Sequence, residues 1–283
     1  MQSRRYDIET LLDEVITLPS MPVTLDQITW LINDPGSALG DVAKVISRDP
    51  AIALKTLRLV NSAYYGLGKE ISSIEQAVVL LGSKVIRNMV LTATVFETIR
   101  GSTEKLLRHS LACGLAMRLL VEEGPLAKLV VAEDEAFIFG LLHDIGKVFI
   151  EEYIFQETAA ISKLIQHDGY ACFQAEMQQI GADHAMIGGC LAEKWCLSPA
   201  LINAIMGHHE LDLCDEEFQI FAATLRIADY MAASCGYPSH DHGVYLLPDP
   251  IWHLANLDGS KMATITTRFL ESLPSLEELI QMS

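Results

Sequence analysis

Residues 72–82 read SSIEQAVVLLG, and their spacing decides the fold class. Apolar residues recur every three or four positions, the period of one face of an α-helix. Ser72 is placed to cap that helix, Glu75 three residues on completes a capping box, and Gly82 stands where a helix ends. Ser83 then opens SKVIRNMVLTATVFETI, a second run with the same period. The grammar repeats along the chain, whereas alternating β-branched runs bounded by turn residues do not occur. The expected fold is all-α. SIEQAVVLLGSKVIRNMV (73–90) could be taken for a DNA-reading helix-turn-helix, but its second helix offers only Lys84 and Arg87, and an ordinary packed helix pair is the better reading.

A chain of 283 residues, half of them apolar and a fifth charged, is long enough to bury a sizeable core. Its net charge of −17 argues against a general grip on nucleic acid, which needs a basic surface to neutralise phosphates. It equally disfavours attachment to an anionic membrane. No apolar run spans a bilayer and the opening MQSRRYDIETLLDEV has no signal-peptide core, so the cytoplasm is the expected location. Cys113, Cys172, Cys190, Cys196, Cys214 and Cys235 form no C-x-x-C pair and read as buried thiols rather than a disulfide frame or zinc-thiolate site.

Three segments organise the chain. Residues 1–101 form an N-terminal helical part jointed at LPSMP (18–22), NDPGS (33–37) and RDP (48–50), where each proline bars the preceding residue from helix. Residues 102–233 hold nearly all the chemically interesting imidazoles. Residues 234–283 read as a loop followed by short helices. No Gly- or Ser-rich linker separates the first two parts, so they are expected to pack as one unit.

The decisive chemistry sits in GLLHDIGK (140–147), where an apolar run is broken by an imidazole, a carboxylate and an ammonium. His143-Asp144 is either a metal-binding pair or one half of an ion pair between Asp144 and Lys147 on a solvated edge. Gly140 and Gly146 would admit a second helix backbone at close range. Four further candidates follow the same logic. His109 shares a face with Ala112, Cys113, Ala116 and Leu120. His184 opens a helix capped by Asp183, where the helix dipole favours the neutral imidazole a metal requires. His208-His209 ends another helix. Asp229 lies on the stripe of Phe221, Ala222, Leu225 and Ala232, with Arg226 as a possible salt-bridge partner.

Alone, each histidine reads as well as a core residue bonded to a carbonyl. Together they place mixed imidazole and carboxylate donors on successive inner faces, a set suited to Fe, Mn, Co, Ni or Zn. The number of donors exceeds the need of one ion, and Asp144 could bridge two. His167-Asp168, before Gly169 at a helix exit, and SHDHG (239–243), a polar loop, are rejected as ligand sites.

The chain from LPSMP to Asp229 resembles the HDOD (HD-related output domain) branch of the HD metal-dependent phosphohydrolase superfamily. RDPAIALKTLRLVNSAYYG (48–66), ISSIEQAVVLLG (71–82), GLLHDIGK and ADHAMIGGCLAEKWCLSPALINAI carry the resemblance. It implies a multi-helix HD-domain-like bundle with an N-terminal helical subdomain packed against it, and a bacterial signal-transduction role exercised through protein partners. That branch often lacks parts of the metal site, whereas this sequence matches them all. In this it is similar to the HD-GYP branch, which hydrolyses cyclic di-GMP at an iron or manganese centre; that likeness implies Lys147 as a phosphate contact. The GYP element is missing from its place after the paired histidines, and Gly236-Tyr237-Pro238 lies too late to replace it.

Two functions are therefore expected. The first is a regulatory output module that retains a metal site, Fe or Mn foremost, and acts through a partner protein. LPSMP and NSAYYGLGKEISS (61–73), which a metal does not need, favour it. The alternative is a metal-dependent phosphohydrolase or phosphodiesterase acting on a nucleotide or cyclic dinucleotide through a binuclear centre. One ion would be held by His109, His143, Asp144 and Asp229, and a second would share Asp144 and take His184, His208 and His209. Asp144 and Lys147 would then be the catalytic residues.

Overall fold

The computed structural model describes residues 6, 10, 23–34, 36–61, 71–100, 104–124, 126, 133–195, 197–239 and 247–282. The LPSMP segment and residues 62–70 lie outside them. The regular structure of the described residues is all helical, with no strand among them. None of their helices is long and apolar enough to cross a membrane.

The chain divides into two compact units, Met1–Leu18 with Ser102–Phe269, and Pro19–Gly101 with Leu270–Ser283. The second unit holds α1 (Val23–Asn33), α2 (Leu39–Ser47), α3 (Pro50–Val60), α4 (Ile74–Leu81) and α5 (Ser83–Arg100). The RDP joint works as a cap: Asp49 Oδ1 accepts from the Ala51 and Ile52 amides, and Pro50 opens α3 where its missing N–H costs nothing. At the end of α3, Asn61 bonds both the amide and the carbonyl of Ile71, at 2.7 and 2.8 Å.

The start of α4 differs from expectation by one residue. Ser73, not Ser72, is the cap and accepts from the Gln76 amide at 3.2 Å. Gln76 reaches back to the amide and hydroxyl of Ser72. The backbone places the cap: Ser73 is extended, with φ −143° and ψ 155°, so the helix begins at Ile74, and Ile74, Ala77 and Val78 share its buried face. Gly82 ends the helix with a φ of 84°, which favours glycine.

The first unit holds α6 (Glu104–Glu123), α7 (Glu133–Leu142), α8 (Ile145–Tyr153), α9 (Phe155–Asp168), α10 (Cys172–Ile180), α11 (His184–Lys194), α12 (Pro199–Gly207), α13 (Gln219–Ser234) and α14 (Asp249–Ala255). Two close approaches set its geometry. A Cβ on Gly140 would collide with the backbone of Cys113 and Gly114, so α7 lies directly against α6. A Cβ on Gly146 would strike the His184 carbonyl, which seats α8 on the start of α11. Both glycines thus serve the approach expected of them.

The end of the chain is not a set of short helices. After α14, one helix, α15, runs for 24 residues from Gly259 to Met282. Asp258 caps it by accepting from Ser260 and Lys261, and Ile265, Phe269 and Leu276 form a buried stripe that carries it through Pro274.

Candidate metal centre

Five stretches of the first unit bring their polar side chains to one place. His109 comes from mid-α6, His143 and Asp144 from the turn between α7 and α8, His184 from the first residue of α11, His208 and His209 from the end of α12, and Asp229 from α13. Asp183 caps α11 by accepting from the Met186 amide at 2.8 Å. His109, His143, Asp144, His184 and His208 are each 1% exposed or less. Asp229 keeps 26% of its side chain open, and His209 is half-buried.

The hydrogen bonds determine which nitrogen of each ring faces inward. Nδ1 of His109 meets the Tyr237 carbonyl at 2.7 Å, that of His143 the Gly140 carbonyl at 2.7 Å, and that of His208 the Ile205 carbonyl at 2.6 Å. His184 Nδ1 meets Glu176 Oε2 at 2.6 Å. Carbonyls and carboxylates only accept, so Nδ1 is the donor in all four, and the neutral ring carries its lone pair on Nε2. The Nε2 atoms then converge: His109 on His143 at 3.1 Å, His209 on His184 at 2.8 Å. Lone pairs cannot face each other at that distance without a proton or a cation between them.

The donors fall into two triads, His109–His143–Asp144 and His184–His208–His209. Asp144 stands between them. Its Oδ2 is 3.5 Å from Nε2 of both His109 and His143, and its Oδ1 is 3.2 Å from Nε2 of His184. Asp229 Oδ1 adds to the first triad, 3.2 Å from His109 and 4.0 Å from His143. Arg226, the alternative partner for Asp229, instead donates to the His209 carbonyl at 2.6 Å.

Lys147 pairs with Asp144, as one of the two sequence readings has it, but the pair lies in the interior and not on the solvated edge expected of it. Its ammonium donates to Asp144 Oδ2 at 2.6 Å and to Ser239 Oγ at 3.0 Å, well away from any solvated edge. Burial opposes its charge, but Asp144 outweighs burial and raises its pKa.

The same contest sets the other groups. Asp144 is depressed well below the carboxylate range: burial opposes this, and His143, Lys147 and His184 overcome it. Burial would lower His184, yet the Glu176 charge holds it well above the usual imidazole value. His109 is likewise raised, by Asp229 against burial. Burial, reinforced by neighbouring imidazoles, takes His208 down to about 3 and His209 well below its ordinary value. Asp229 and Glu176 thus favour the charged imidazole at His109 and His184, whereas burial disfavours it at His208 and His209.

The donor set fits a cation. Asp144 Oδ1 and His208 Nε2 are buried without any hydrogen-bond partner, the His184 contact to Oδ1 being close but poorly aligned. Buried acceptors left in this way are costly. Three carboxylates stand among these imidazoles: Asp144 pairs with Lys147, Glu176 with His184 and Asp229 with His109.

Three contributors escaped the sequence reading. Glu176, 3% exposed, accepts from both the amide and Nδ1 of His184, and Cys172 Sγ donates to its other oxygen at 3.3 Å. Its signal was available, since it shares the buried face of α10 with Ala175 and Ile180 as Asp229 shares that of α13. Tyr237 and Ser239 follow α13, in segments dismissed as coincidence and polar loop. One supplies a backbone carbonyl and the other a hydroxyl, neither of which composition can flag. Cys172 and Glu176 also form a mixed donor group with His184, so this thiol is not a plain core residue. His240 to Gly243 lie outside the described residues.

An HDOD domain spans residues 18–211 by family comparison. An uncharacterized protein of Treponema pallidum (strain Nichols) is 26% identical over 224 residues, which cover 78% of this chain and 43% of that protein. The chain thus spans less than half the length of this curated relative. Among solved structures, an HDOD domain protein of unknown function from Geobacter sulfurreducens superposes with a TM-score of 0.78 at 22% identity, covering 96% of this chain and 95% of its own. A proposed phosphohydrolase from Shewanella amazonensis SB2B gives 0.73 at 24% identity, covering 96% and 97%. Both support the fold, and with the match over residues 18–211 the chain belongs to the HDOD domain family.

Proposed function

We propose that this chain is a regulatory HDOD module built around a metal site and acting through a protein partner. The observation that carries the reading is the pair of orphaned buried acceptors, Asp144 Oδ1 and His208 Nε2, set among imidazoles whose Nδ1 atoms are already committed. His109, His143, Asp144 and Asp229 would hold one ion, and His184, His208 and His209, with Asp144 shared, a second. Closure of the site favours a structural role, because catalytic sites keep a coordination position open and most of these donors have no access to water. An ion here would tie α6, α8, α11, α12 and α13 together, making the surface of the unit depend on metal.

A second reading, phosphoester hydrolysis, is favoured by Asp144, whose two oxygens address different triads, and by the exposed edge of Asp229. The Shewanella relative is named for that activity. When bound, the ion would supply a water of lowered pKa and a Lewis acid. The protein's own part is orientation: Lys147 pins Asp144, and the carbonyls of Gly140, Ile205 and Tyr237 fix three imidazoles. A phosphate contact from Lys147 would require its ammonium to exchange Ser239 for the substrate.

Metal analysis of the purified chain, with a phosphoester panel assayed in added Mn or Fe, separates the readings. Bound metal without turnover supports the module. Turnover that disappears in Asp144→Ala establishes the hydrolase. A chain that takes up no metal sinks both.

A further inference from the structure

Glu176 breaks the symmetry of the four oriented imidazoles. Three of them lean on neutral backbone carbonyls, whereas His184 donates Nδ1–H to a carboxylate that also accepts its backbone amide. The two triads are unequal in another respect. His109–His143 has Asp229 beside it as a private carboxylate, and His184–His208–His209 has no such donor among the described residues. Three neutral imidazoles and a half-share of Asp144 make a poor counter-charge for a divalent cation.

We propose that Glu176 is the positioning residue and counter-charge of the His184–His208–His209 half, acting through the His184 ring as Asp229 acts directly in the other half. This inference rests on the metal-site reading above. A carboxylate on the far nitrogen fixes the tautomer, orients the ring and makes Nε2 a stronger donor, and losing such a partner typically costs about 10- to 100-fold in metal affinity. Glu176 is suited to the task because it is buried and held twice by His184, while Cys172 Sγ satisfies its other oxygen.

The test is Glu176→Gln in the full chain, which keeps an acceptor for both His184 bonds, removes the charge and turns an NH₂ toward Cys172 Sγ, a sulfur that can accept as well as donate. Glu157→Gln serves as control, a carboxylate on α9 bonded by Gln179 and Tyr6. Zinc is titrated into ¹⁵N-histidine-labelled protein, and each imidazole is followed by NMR. The unaltered chain is expected to fill both triads. Glu176→Gln should fill the His109–His143 half with unchanged affinity and weaken the other by about 10- to 100-fold. Glu157→Gln should match the unaltered chain.

Equal affinity for both halves in Glu176→Gln overturns the proposal while leaving the metal site standing. So does equal weakening of both, the mark of a merely structural role. An unaltered chain that binds no zinc removes the metal site and the proposal together. A second measurement needs no variant: in the zinc-loaded unaltered chain, His184 should coordinate through Nε2 and retain its Nδ1 proton. Coordination through Nδ1, with Glu176 and Cys172 as co-ligands, overturns the assignment.

Discussion

Two of the chain's three His-Asp doublets, His143-Asp144 just before α8 and His167-Asp168 at the end of α9, have opposite fates. His143-Asp144 is 1% exposed at both residues and touches His109, His184 and Lys147. His167-Asp168 ends α9 in solvent, followed by Gly169 with a φ of 72°. The dipeptide is the same; what differs is the flanking sequence. Gly140-Leu141-Leu142 and Ile145 leave the first doublet no route to water, so it must find partners. Leu164, Ile165 and Gln166 before the second bury one side only, and the helix simply stops. A motif of two residues carries little information until its neighbours decide whether it is dry.

Removing the carboxylate from each doublet exposes that difference most strongly. Asp144→Ala should abolish metal uptake and cost about 3–5 kcal/mol in chemical denaturation, because it strands a buried ammonium on Lys147. Asp168→Ala should change neither quantity. The histidines follow suit: His184→Ala should lower metal content and His167→Ala leave it intact, as read by elemental analysis of dialysed protein. Equal losses from His184→Ala and His167→Ala would mean the buried doublet has no privileged partner.

The glycine after the buried doublet sharpens the contrast. Gly146→Ala drives a methyl group into the His184 carbonyl and must push α8 away from α11. Overpacking of this kind costs about 1–3 kcal/mol. The displacement should also separate Asp144 from His184 and lower metal affinity. A variant with native stability and native metal content would show that the approach of the two helices is not what sets the site.

The helical class was legible because period and punctuation agree. Asp49, Asp183, Gly82 and Gly169 all cap or end helices where their positions in the sequence put them. Convergence of the donors was legible for a different reason: each polar residue interrupts an apolar stripe, and burying it without partners is costly. What remained hidden was the scaffolding. Three of the four Nδ1 bonds go to backbone carbonyls, which every residue possesses, so no residue type signals them. Glu176 was open to the reasoning applied to Asp229 but stands in a run, CFQAEMQQI, whose glutamines blur its apolar face. The cap of α4 slipped by one residue because Ser72 and Ser73 are chemically equal, and residue type alone does not say which of them stays extended.

Acid should reveal the buried imidazoles in the metal-free chain. His208 has a folded-state value of about 3 against an ordinary 6.5, so the unfolded state binds its proton first. Its contribution is complete above pH 6.5 and is lost as pH falls toward 3, at about 1.4 kcal/mol per pH unit. His143 and His209 are shifted the same way and steepen the loss. His109 and His184 are raised, so their contribution is present below pH 6.5 and is lost as pH rises through their folded values. Metal-free protein should therefore be most stable near pH 6.5, as followed by denaturation midpoints from pH 4.5 to 9. His208→Gln should flatten the acid limb. A curve that keeps its slope in that variant would show that the imidazole is not held neutral in the fold.

The smallest effect belongs to the exposed doublet. Gly169 has open space where a Cβ would go, yet its φ of 72° is the left-handed conformation that side chains resist. Gly169→Ala should cost about 1 kcal/mol, a backbone term unconnected with packing, and leave metal content untouched. Gly169→Asn should recover part of it, since asparagine tolerates that conformation. The same Asn exchange at Gly146 should recover nothing, because there the obstacle is the His184 carbonyl and not the backbone angle. Recovery at both positions, measured by thermal denaturation of the four variants, would erase the distinction between a glycine kept for its conformation and one kept for the space it leaves.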